Sequence, residues 1–131
     1  MQIKSTLFYV GLALLFTHEL DAMPNNEWQV LPLLRNLTDS VGEATFVLAH
    51  IPIFVIVIAC IASLNLNIRS MARDIACAFL ILHAFLHFAF SGHPAYQFNS
   101  LLSTSLIYGA ALCGLSFLLV RWIENKSPAP R

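Results

Sequence analysis

The chain has 131 residues, of which 58% are hydrophobic and only 11% charged. A soluble domain is about 45–50% apolar and about 25% charged, so this composition argues against a soluble enzyme or a disordered tail. Seven basic and seven acidic residues cancel, leaving no net field to attract a nucleic acid or another polyanion.

The apolar residues lie in long runs, and the mean hydropathy is +0.73. A helix needs about 20 mostly apolar residues to cross a bilayer core. Residues 6–22, 41–64, 71–90 and 101–123 supply four such spans. The first follows Lys4 and could pass for a secretory signal. Its cleavage region, His18-Glu19-Leu20-Asp21-Ala22, is acidic and lacks a small-x-small pattern, so it reads as a span. In the polar connection over 23–40, Trp28, Leu31, Leu34 and Leu37 recur at helical spacing around Pro32. That spacing predicts a short helix in the outer interface with Trp28 as its anchor.

Ser40-Val41-Gly42-Glu43 has the form of a capping box opening the second span. Pro52, two residues after His50, predicts a kink beside that histidine. The third span should stop at Ser91-Gly92-His93-Pro94, and Asn99 or Ser100 can cap the fourth. Ala110 and Gly114 form a small-xxx-small pair that admits a neighbouring helix. Ser103, Thr104, Ser105 and Tyr108 either line a pocket or bond helix carbonyls. Open strands are excluded at membrane depth. The expectation is an all-α, integral-membrane, four-helix up-and-down bundle forming one transmembrane domain over 1–131. Its partner is the lipid bilayer.

Basic residues set the orientation. With the N-terminus inside, Lys4, Arg69, Arg73, Arg121, Lys126 and Arg131 are cytoplasmic, and only Arg35 is outside. Glu19, Asp21, Glu27, Asp39 and Glu43 then gather outside, and both termini are cytoplasmic.

This topology also gathers the histidines. His18 and His87 stand near the outer ends of the first and third spans. His50 and His83 lie roughly 10 Å deeper, and His93 is in an outer loop. His83 and His87 are four apart and share a helix face, as do His18 with Asp21 and Glu43 with His50. Ionisable groups inside a membrane are costly and usually face the bundle interior.

Imidazole and carboxylate together suit zinc or iron. The candidate ligands of a divalent metal are His18, His83 and His87, then His50 and Asp21. Glu19 or Glu43 could serve as a further ligand, a hydrogen-bonding partner of a ligand or a catalytic general base. The pattern is not the zinc-protease His-Glu-x-x-His, because Ala22 replaces the second histidine. Three alternatives stand beside this reading. One is bis-histidine haem held by His50 and His83, another a proton or metal-ion path, and the third a purely structural hydrogen-bond network. Against a path, the cytoplasmic half lacks ionisable residues to continue it. Cys60, Cys77 and Cys113 are odd in number and lie within spans, so they read as packing thiols. Four short helices bury little interior, which leaves room for a homodimer that completes the site.

Phe16-Thr17-His18-Glu19-Leu20-Asp21-Ala22, then Glu27-Trp28 with Leu31-Pro32, resembles a family of small bacterial integral-membrane proteins of unknown function. His50-Ile51-Pro52, His83-Ala84-Phe85-Leu86-His87 and His93-Pro94 with Tyr96 and Phe98 extend the likeness over nearly the whole chain. The resemblance implies a four-span bacterial inner-membrane protein and carries no catalytic role.

Overall fold

Each apolar run becomes a helix, and the residues that start it are mostly visible. The computed structural model describes residues 3–126, which form α1 (Ile3–Ala22), α2 (Asp39–Ile61), α3 (Leu66–Phe90) and α4 (Leu101–Lys126), with no strand among the described residues. Arg131, used above to set the orientation, lies outside them. α2, α3 and α4 are each long and apolar enough to cross a membrane. α1 is also long, but Lys4, His18, Glu19 and Asp21 interrupt its apolar character.

Boundaries differ from hydropathy where capping decides. α3 begins five residues before the apolar run, because the Asn65 side-chain oxygen Oδ1 accepts from the backbone N–H groups of Asn67 and Ile68 at 2.9 and 3.3 Å. α4 opens on Ser100, whose hydroxyl accepts from the Ser103 N–H at 2.9 Å. The expected capping box at Ser40 does not form. α2 starts two residues earlier, on extended Thr38, with Asp39 in its first turn, where a negative charge suits the helix dipole. Glycine does not end α3 either. Among the described residues no glycine has positive φ, and right-handed Ser91 closes the helix with its hydroxyl on the Phe88 carbonyl.

The interfacial helix reduces to one 3-10 turn, Glu27–Gln29, followed by further turns. Trp28 does not stand outside as an anchor. It is buried against Phe46, and a Cβ on Gly42 would come within 2.9 Å of its ring. α2 could not approach Trp28 so closely with any larger residue there.

α1 and α3 both pack along α4, while α2 rests on α3 and the 3-10 turn. Three core layers follow one another along the bundle. Phe8, Cys77 and Phe117 form one, Leu15, Leu80 and Ala110 the next, and Ala22, Ala84 and Ile107 join Trp28, Phe46 and Phe98 in the third. Gly114 allows the α3–α4 approach, since a Cβ there would sit 2.6 Å from the Cys77 carbonyl oxygen. Beyond the Phe8 layer, ion pairs join Lys4 to Glu124 and Arg121 to Asp74. α2 turns Leu48, Ile51, Val55, Ile56 and Ile58 outward, an apolar surface suited to lipid.

Candidate metal centre

The site is built where α1 ends, the chain reverses, and α3 passes beside it. His18 occupies the last turns of α1, and His83 and His87 follow one another along one face of α3. The third core layer holds these helix ends together. The reversal after α1 rests on two asparagines. Asn25 donates its side-chain amide to the Asp21 carbonyl at 2.7 Å, and Asn26 takes φ 51°, a left-handed conformation that asparagine tolerates better than most residues. The next residue, Glu27, is thereby returned over the end of α1 and into the histidines.

His18, Glu27, His83 and His87 are all buried, at 1%, 8%, 8% and 5% exposure. Each offers one ligand atom, and those atoms lie within 4.8 Å of one another. The three imidazole centroids form a nearly equilateral triangle, with separations of 4.9, 4.8 and 4.7 Å. Glu27 reaches across it, Oε2 lying 3.6 Å from His18 Nε2 and Oε1 3.7 Å from His87 Nε2. These distances are too long for hydrogen bonds. They are near those between ligands of one ion, since tetrahedral bonds of about 2.0–2.1 Å put donor atoms roughly 3.3–3.4 Å apart. Both nitrogens of His18, His87 Nε2 and Glu27 Oε2 have no hydrogen-bond partner, although buried polar groups rarely go without one. The group could hold a metal ion.

Electrostatics fit that role. Burial opposes ionisation of Glu27, but the His18 ring, followed by His87 and His83, outweighs it and holds the carboxyl below its ordinary 4.5. Tyr96 supports His87 from the far side, its hydroxyl 3.3 Å from Nδ1. Burial, then Tyr108 and Glu27, push that phenol up to about 12, so it remains a neutral hydrogen-bonding group. Beside Glu27, His83 and His87 lies a cavity of about 50 Å³, walled by Leu86, Phe90, Tyr96 and Phe98 among others. It is large enough for a water molecule next to a bound ion.

The other candidates fall outside the cluster. His50 pairs with Glu19 instead, Nε2 to Oε2 at 2.9 Å, and its Nδ1 lies 2.7 Å from the Phe46 carbonyl. Only an N–H can face a carbonyl, so Nδ1 carries hydrogen and one proton lies between Nε2 and Glu19. With both nitrogens engaged, His50 has none free for a haem iron. Asp21 is partly buried beside the cluster without joining it, Glu43 is exposed on α2, and His93 closes its own loop by accepting from the Ala95 N–H. Glu27 was not among the expected ligands. Its sequence signal was an acid beside tryptophan only five residues past α1, close enough to fold back. Thr104 bonds the carbonyls of Ser100 and Leu101, and buried Ser103 bonds Ser100, so neither reaches the metal group.

A family model described as a family of unknown function, DUF6713, matches residues 4–124. The chain belongs to that family. All four residues of the cluster fall within the part that defines DUF6713. No curated protein and no solved structure matches the chain.

Proposed function

We propose that this chain is a multi-pass bacterial inner-membrane protein that binds a divalent metal, zinc or iron, near its periplasmic face and acts there as a small metal-dependent enzyme. One observation carries the reading: four buried donor groups converge within 4.8 Å while several of their atoms lack any other partner. A structural network would leave those hydrogen bonds unmade at 3.6–3.7 Å, whereas an ion would engage one atom from each of the four residues. His18, His83, His87 and Glu27 are the ligands of this reading. The ion would act as a Lewis acid or activate a bound water, with the neighbouring cavity as the place for that water or a small substrate group.

The four helices are read as an up-and-down bundle of spans. The core layers support this, since residue numbers rise along α1 and α3 and fall along α4 in the same direction. The basic residues then put both termini in the cytoplasm. Glu19, paired with His50, is read as a proton-holding group near the centre, and Glu43 as a surface acid.

The test is elemental analysis of protein purified from membranes, beside Glu27→Gln and His83→Ala. Near-stoichiometric zinc or iron in the native protein, lost in both variants, is expected. A metal-free protein that gains no stability from either ion would overturn the reading. Reporter fusions at each end check the orientation, and a periplasmic terminus would overturn that part.

A further inference from the structure

The end of the bundle opposite the metal centre carries five described basic residues, and three of them are already engaged. Lys4 pairs with Glu124. Arg121 pairs with Asp74 at 2.6 Å and donates to the Ser70 hydroxyl at 2.8 Å. Lys126 stands over the Trp122 ring at 4.0 Å. Both carboxylates at this end are thereby taken. Arg69 and Arg73, on α3, meet no carboxylate among the described residues.

Arg73 is fixed but not neutralised. Its guanidinium lies 5.1 Å from the centre of the Phe8 ring and 5.5 Å from that of Tyr9, and Nη2 donates to the Tyr9 hydroxyl at 3.0 Å. The rings and the phenol orient the planar fork without supplying a counter-charge, and the buried Nε has no acceptor. Arg73 is half-buried and Tyr9 is exposed, so the fork stands at the surface of the α1–α3 seam. Arg69 lies one turn nearer the start of α3 and is also half-buried. Residues four apart on a helix have Cβ atoms about 5–6 Å from each other, and like charges there destabilise it. An anion shared by the two arginines removes that repulsion, and a guanidinium fork matches phosphate oxygens two at a time.

The surroundings say which anion. Ile68, Met71 and Ile75 are exposed in the same turns of α3, so apolar surface borders the charge. A dissolved phosphate gains nothing from that border, whereas a lipid buries its chains against it. Both arginines fall within the first eight residues of α3, a helix long and apolar enough to cross a membrane, and headgroups meet a span at its end. We propose that Arg69 and Arg73 hold the phosphate of an anionic phospholipid at the α1–α3 seam. The site rests on the reading of α3 as a span and is independent of the metal.

Native mass spectrometry of the full-length protein, released from nanodiscs of equal phosphatidylglycerol and phosphatidylcholine, tests it. Phosphatidylglycerol should stay bound to the chain in preference to phosphatidylcholine. Arg73→Gln and Arg69→Gln should each weaken its retention about fivefold, and the result is read from whichever variant melts like the native protein. Lys126→Gln removes the same charge from the same end and should leave retention nearly unchanged. Equal losses in all three variants would show a diffuse surface attraction and overturn the site, as would retention of both lipids alike. Displacement of phosphatidylglycerol by millimolar inorganic phosphate would make this a site for a soluble ion and overturn the lipid. Alkaline carbonate washing of cell membranes checks the span reading separately. Release by carbonate would overturn the spans and the lipid site with them, whereas absent lipid preference in a carbonate-resistant protein would overturn the site alone.

Discussion

Replacing His18 with leucine separates a metal centre from a structural network, because it deletes both ring nitrogens and keeps an apolar body in their place. In the metal-free protein those nitrogens are buried without partners, and each such group costs about 1–3 kcal/mol in lost solvation. Leucine relieves that cost but removes the imidazole 3.6 Å from Glu27. The two effects oppose one another, so the metal-free stability should change by no more than about 1 kcal/mol. Metal changes the outcome. At a free concentration a hundred times Kd, a bound ion stabilises the native protein by about 2.7 kcal/mol. Losing a ligand should weaken binding at least as much as losing a group that hydrogen-bonds to a ligand, which costs about 10–100-fold. After a hundredfold loss, the same metal returns only about 0.4 kcal/mol. At about 4 °C per kcal/mol for a chain of this length, the native protein should gain about 10 °C on metal addition and His18→Leu about 2 °C. Thermal melts of chelator-treated protein, with and without zinc or ferrous iron, give both numbers. A variant that keeps the full metal increment would refute the reasoning. So would one that loses several kcal/mol without metal, because His18 would then be held by protein partners.

Tyr96→Phe removes the hydroxyl 3.3 Å from His87 Nδ1 and should weaken metal binding about 10–100-fold with little effect on metal-free melting; competition with a chromophoric chelator measures it. Gly114→Leu forces side-chain atoms against the Cys77 backbone, so α3 and α4 must part; a loss of at least about 1–3 kcal/mol is expected in thermal melts, and an unchanged melting temperature would contradict the close approach. Acidification should release the metal, because its histidine ligands must be neutral to bind. Bound metal measured after equilibration across pH should fall as protons compete for the imidazoles, and metal retained unchanged into strong acid would argue against histidine ligation.

Much of the fold was legible because membrane burial writes itself into composition. Long, mostly apolar runs marked the four helices to within a few residues, and the remaining errors trace to chemistry that hydropathy does not see. Asn65 captures two N–H groups and starts α3 early, while Thr38 starts α2 without the side-chain bond that Ser40 seemed to offer. The histidines were legible in part. Four-residue spacing aligns His83 with His87 whatever else happens, and the polarity of α1 near its end singled out His18. Depth along a helix, however, does not fix rotation about it. His50 lay at the depth of His83 yet turns to Glu19, and Asp21 shares a helix face with His18 without meeting it closely enough to join the group.

Glu27 was illegible for a different reason. A helix fixes its neighbours by periodicity, whereas a reversal fixes them by single backbone states. Asn26, the one left-handed residue among the described residues, decides whether the following acid faces solvent or folds back over α1. The cost of burying a carboxylate in an apolar interior is met only where positive or polarisable partners wait, and three imidazoles wait there. The same physics that forbids an isolated acid at this position thus selects the reversal that delivers it. An ion held by His18, His83, His87 and Glu27 would join α1, α3 and the connecting loop at one point, so metal binding should hold residues 23–30 more firmly against the helix ends.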